Sequence, residues 1–209
     1  MRKPSRKGSN FEREISKRLG LWWSNGERDD IFWRTSASGA RAKIRSYSSQ
    51  KTFGQYGDIQ AIDPIGQPLL DLMTIEIKRG YSGFSVSDLI DKSDTMKIQP
   101  YEDFLIQAIT DHKNAGTPFW ALITKRDKRT SLIFLPSKLV QILNIKINQY
   151  MKIRHLLPFY EINKKRERIY TKPEIISFFI FHLEDFLQIV SADNIIEIFR
   201  KMKCRKKKQ

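Results

Sequence analysis

Two stretches, Gly57-Asp58-Ile59-Gln60-Ala61-Ile62-Asp63 and Leu72-Met73-Thr74-Ile75-Glu76-Ile77-Lys78, decide how this chain is read. Each alternates apolar and polar residues, the period of 2 that marks a half-buried strand. Between them Pro64-Ile65-Gly66-Gln67-Pro68 has the composition of a turn, so the pair reads as a hairpin. The same period puts Glu76 and Lys78 on one face of the second strand, and a hairpin partner brings Asp58 to that end. Two carboxylates meeting at a sheet edge can hold a hard divalent cation such as magnesium, which takes oxygen ligands and keeps several waters. The neighbouring lysine is suited to orient or deprotonate an attacking water. Glu12, upstream, is a third carboxylate able to complete the site.

Upstream of these strands, Phe11, Ile15, Leu19 and Trp22 or Trp23 recur at helical spacing, which predicts a helix of about 12 residues capped by Ser9 or Asn10. Residues 24–57 are polar and carry Arg34, Arg41, Lys43, Arg45 and Lys51; they read as a short strand around 31–35 followed by a basic loop. Downstream, apolar positions predict a helix over 100–114, stopped by Asn114-Ala115-Gly116, and strands over 119–124 and 131–135 around a charged turn. This order indicates an α/β fold with a central mixed sheet flanked by helices. Beyond Pro136 the composition shifts toward Ile, Phe, Lys and Asn. Helices are expected over Ser137–Leu143, 173–190 and 192–202, with 163–168 a charged connector. The chain thus divides into a core, 1–136, and a mainly helical extension, 137–209, that ends in a basic tail. The last ten residues hold seven Lys or Arg and no acid, a composition that suits an anionic partner.

With 209 residues, 40% of them hydrophobic, the chain can bury a sizeable core, which excludes disorder throughout. Its net charge of +15 exceeds what solubility needs and points to a polyanion, nucleic acid first. The single cysteine, Cys204, excludes an internal disulfide framework and a cysteine-based zinc site. No signal-peptide pattern and no long uncharged apolar run is present, so a soluble, intracellular protein without membrane association is expected. His112, His155 and His182 are not at ligand spacing, and Asp63 and Asp71 read as turn residues.

Asp58 followed by Glu76-Ile77-Lys78 resembles the D…(E/D)-x-K signature of the PD-(D/E)XK nuclease superfamily. Lys7-Gly8-Ser9-Asn10-Phe11-Glu12-Arg13-Glu14 resembles the corresponding helix of archaeal-type Holliday junction resolvases, and Arg34-Thr35-Ser36-Ala37-Ser38 resembles their arginine-serine segment. The resemblance covers about the first 135 residues. It implies a restriction-endonuclease-like core and a magnesium-dependent DNA endonuclease, manganese also serving, that cuts branched DNA as a homodimer. In that family pattern Glu12, Asp58, Glu76 and the carbonyl of Ile77 hold the metal, and Lys78 positions the water. Arg6, Lys7, Arg34, Ser36, Ser38, Arg41, Lys51 and Arg79 then contact DNA. Two features depart from the pattern: the segment between Glu12 and Asp58 is longer, and Gly57 stands where a proline is usual. Within the same superfamily, action on duplex, flap or single-stranded DNA is the alternative. From another class, the alternative is a non-catalytic basic DNA-binding module. The C-terminal extension is a candidate surface for a protein partner.

Overall fold

The strand that carries Glu76 and Lys78 forms one edge of a five-stranded mixed sheet. The computed structural model describes residues 5–35, 56–80, 83–91, 98–146, 150–163 and 167–206. In chain order the elements are α1 (Ser5–Trp23), β1 (Phe32–Arg34), β2 (Ile59–Ala61), α2 (Gln67–Leu72), β3 (Met73–Arg79), α3 (Pro100–Ala115), β4 (Phe119–Lys125), β5 (Ser131–Pro136) and α4 (Ser137–Leu143). They continue with β6 (Met151–Leu157), β7 (Tyr160–Ile162), β8 (Arg168–Tyr170), β9 (Glu174–His182), α5 (Leu183–Ile189) and α6 (Ala192–Lys206). The large sheet has the order β3-β4-β5-β9-β6, while β1 with β2 and β7 with β8 form two-stranded ribbons.

The hairpin expected from the two alternating stretches does not form. β2 pairs antiparallel with β1, and β3 runs parallel to β4, with Glu76 opposite Leu122 and Lys78 opposite Thr124. The intervening residues make a 3-10 turn, capped by the Asp63 carboxylate accepting from Ile65 N–H at 3.0 Å, and then α2. That is more chain than a tight hairpin connection uses. The parallel pair needs a crossover instead, which α3 supplies.

Alternate residues of the sheet feed two apolar cores. Met73, Ile75, Ile77, Ala121, Ile123 and Ile133 pack with Phe11, Ile15 and Leu19 of α1 and with residues of α2, α4, α5 and α6. Trp120, Leu122, Phe134, Phe178 and Ile180 pack against α3 on the other face. The α/β class, the mixed sheet between helices and the C-terminal helices are therefore as expected. The segment read as a helix over 173–190 is instead β9 followed by α5. Both faces of β9 are covered, so Phe178-Phe179-Ile180-Phe181 shows no polar alternation, and its aromatic and β-branched content suits a strand. Strands β6 and β9, from beyond Pro136, complete the large sheet. Helix α1 also starts earlier than the expected Ser9 or Asn10 cap, because the good helix formers Arg6 and Lys7 carry it back to Ser5. Among the described residues no helix is long and apolar enough to cross a membrane.

Candidate active site

Gly57 adopts φ +79°, and a Cβ there would lie 2.8 Å from the Ile75 carbonyl oxygen and 2.8 Å from Thr74 Cγ2. Neither the space nor the positive φ admits proline, which is held near −65°. The glycine lets the chain press against the open edge of β3. There Asp58 N–H donates to Ile75 O at 2.8 Å, Ile77 N–H donates to Asp58 Oδ2 at 2.7 Å, and Thr35 N–H donates to Asp58 O at 2.9 Å. Asp58 thus reaches β3 by docking on its edge rather than through a hairpin.

Glu76 is 1% exposed, and Lys78 Nζ donates to its Oε1. Asp58, also buried, has its pKa pushed up to about 8, first by burial and next by the charge of Glu76. Lys78 and the Ile77 N–H pull it down, and Glu12 pushes it further up. Glu12 comes from α1 and is held by Arg34, whose Nε donates to its Oε2 at 2.8 Å. Two carboxylates buried together penalise each other's ionisation, a penalty that a bound cation removes.

Among the described residues no group of three or more His, Cys, Asp or Glu side chains is placed to hold one metal ion. The three-carboxylate set of the resemblance is therefore not assembled: Glu12 acts on Asp58 but is tied to Arg34. Asp58 and Glu76 are nevertheless hard oxygen donors, and a magnesium-type ion is commonly held by one or two carboxylates with waters completing its shell. On that donor chemistry the residues fit the ion.

Residues 3–197 match the family described as "Phage putative PDDEXK endonuclease". The chain belongs to this phage endonuclease family. Its match extends well past residue 135, through the strands beyond Pro136 and into α6. It establishes the PD-(D/E)XK superfamily and not, specifically, the archaeal-type resolvases. Comparison with curated proteins and with solved structures gives no match.

In this member of the phage PD-(D/E)XK family, three of the cations read as DNA contacts lie beside acids of the fold. Arg34 holds Glu12, Arg79 Nη1 is 3.7 Å from Glu14 Oε2, and Lys7 is paired with Asp127 at 3.2 Å on the surface. Glu14 is also paired with Lys125 at 3.2 Å. Arg6 lies in the first turn of α1. Ser36, Ser38, Arg41 and Lys51 lie outside the described residues. Sequence reading assigned no role to Thr35 within its Arg34–Ser38 segment; its N–H holds the Asp58 carbonyl, and its hydroxyl is buried without a hydrogen-bond partner among the described residues. It also missed Thr124, a buried polar residue beside Lys78 that ends the apolar run of β4. Only the β3–β4 register reveals that neighbour.

Proposed function

We propose that this chain is a metal-dependent endonuclease that hydrolyses phosphodiester bonds of DNA. The observation that carries this reading is the buried Asp58–Glu76 pair beside Lys78 on the edge of β3, in a chain of a PD-(D/E)XK family. Asp58, Glu76 and the carbonyl of Ile77 would hold the ion, and Glu12 would add its charge through its effect on Asp58. A bound magnesium-type ion supplies a Lewis acid that neutralises phosphate charge and lowers the pKa of water. Lys78, kept in place by the Glu76 carboxylate, orients the water whose oxygen attacks phosphorus in line. The bond from phosphorus to the 3′ oxygen breaks, the attacking water gives up a proton to solvent and the departing 3′ oxygen takes one up, leaving a 5′-phosphate and a 3′-hydroxyl. Manganese, also a hard oxygen-ligated ion, supports the same step. The high net charge, +15, holds phosphates without reading sequence.

Duplex, flap or single-stranded DNA is the substrate class that family membership favours. Junction cutting by a homodimer rests on the Lys7-Gly8 to Glu12 spacing and the Arg34–Ser38 segment and takes second place. The test is incubation of the chain with labelled four-way junction, flap, linear duplex and single strand, in magnesium and in chelator. At least one form should be cut in magnesium and none in chelator. Equal cutting in chelator would refute metal dependence, and tight binding with no cutting would favour a non-catalytic binding module.

A further inference from the structure

A row of side chains runs from Lys78 across the face of the sheet. Lys78 pairs with Thr124, Thr124 with Leu132, and Leu132 with His182, so all four share one face. Neighbouring strands stand about 4.8 Å apart, which sets His182 roughly 15 Å from Lys78. Over the far part of this row lies a cavity of about 230 Å³, lined by Thr124, Leu132 and His182 and completed by Tyr101, Arg126, Arg129 and Thr130.

The lining holds two guanidinium groups and no carboxylate. Both arginines are set by the β4–β5 turn, which is closed by Arg129 N–H donating to Arg126 O at 3.1 Å and has Lys128 at φ +59°. Arg126 Nη1 donates to Phe84 O at 3.2 Å, which fixes its head. Asp127, the acid of the turn, is paired with Lys7. Thr130 Oγ1 and His182 Nδ1 are 3.2 Å apart, adding a hydroxyl and an imidazole. Guanidinium forks with a hydroxyl nearby match the oxygens of a phosphate. A stacked base suits the cavity less well, because its aromatic ring, Tyr101, is 2% exposed and offers no open face.

We propose that this cavity is a subsite for a backbone phosphate of the bound DNA strand, a neighbour of the phosphate that is cut. The proposal rests on the nuclease reading above and extends it: the strand is gripped at two points, Lys78 with its carboxylates and the arginine turn, which sets its path across the sheet. Neither Arg126 nor Arg129 belongs to the D…E-x-K pattern.

The test uses the full chain and whichever of the four DNA forms it binds most tightly, with one phosphate at a time replaced by a neutral methylphosphonate. For wild type, one position other than the cut site should weaken binding about tenfold, as expected for one charge-assisted contact. Arg126→Ala/Arg129→Ala should bind unmodified DNA about tenfold more weakly and show no added loss at that position, the non-additivity of partners in contact. Its salt dependence should be shallower by about one unit of slope or more. Arg129→Ala alone, at an exposed turn residue, repeats the comparison if the double variant fails to unfold cooperatively. Variants that stay as sensitive as wild type at every position, or that keep the wild-type salt slope, would overturn the subsite. Cleavage by wild type in magnesium judges the nuclease reading separately. Cleavage with a flat phosphate scan overturns the subsite alone, whereas a patterned scan without cleavage overturns the nuclease reading and keeps the phosphate site.

Discussion

Glu76 and Glu102 are equally buried, each 1% exposed, yet their surroundings differ in kind. Glu102 lies in the first turn of α3, where its carboxylate accepts from Gln99 N–H at 2.7 Å and lies 2.8 Å from His155 Nε2. A helix N-terminus and a capping box favour negative charge there. Glu76 has Lys78, but it shares its burial with Asp58, and burial and the Glu76 charge together hold the Asp58 carboxyl at about 8. An acid whose neighbours complement it belongs to the fold. Acids that penalise one another are kept for something else, and in the function proposed above that something is a cation.

The contrast meets its hardest test at Asp58 and Lys78. Asp58→Asn should lower cleavage by about 10²–10³-fold or more while DNA binding stays equal or tightens, since a charge beside phosphate has gone. Lys78→Ala should lose turnover by a similar factor with the fold retained. A steady-state cleavage assay checks both. Glu12→Gln should cost less, about tenfold in cleavage, because it acts at the rim of the pair through its own charge. Glu14→Gln, whose partly exposed ion pairs with Lys125 and Arg79 are worth little, should be milder still; the reverse order would place Glu14 at the site. Glu102→Gln should destabilise by about 1–3 kcal/mol in denaturant titration and leave cleavage near wild type. If it abolished cleavage with stability unchanged, the two regions would no longer differ.

The same contrast extends to pH dependence. The pKa of Asp58 is raised on folding, so between about pH 4 and pH 8 the folded metal-free chain holds a proton that the unfolded chain has released. Stability from this group therefore falls as pH rises through that window. Asp58→Asn removes the loss, and its melting temperature relative to wild type should climb from pH 5 to pH 8. A constant difference would mean that Asp58 is not buried against Glu76.

Much of this was legible in the residues. Helical spacing marked α1 and α3, and the apolar runs marked β4 and β5. The period of 2 put Glu76 and Lys78 on one face. Alternation identifies strands but not their partners, which is why the expected hairpin was wrong although Asp58 still lies beside β3. Partner choice depends on α2 and α3 taking up the chain between the strands. β9 was unreadable as a strand because burial on both faces erases its period. The departure at Gly57 became intelligible only with its positive φ and its contact with Ile75. The row from Lys78 to His182 crosses four strands, and no local pattern in the chain encodes that register.

The central claim, that the Asp58–Glu76 pair is kept for a divalent cation, is tested most directly by calorimetric titration of manganese into the metal-free chain at pH 7. Measured in buffers of different ionisation enthalpy, the titration should give one bound ion and release of about one proton per ion, because Asp58 must lose the proton it holds below its pKa of about 8. In Asp58→Asn both the tight binding and the proton release should vanish. Binding of the same strength and proton count in Asp58→Asn, or no binding to wild type, would contradict the claim.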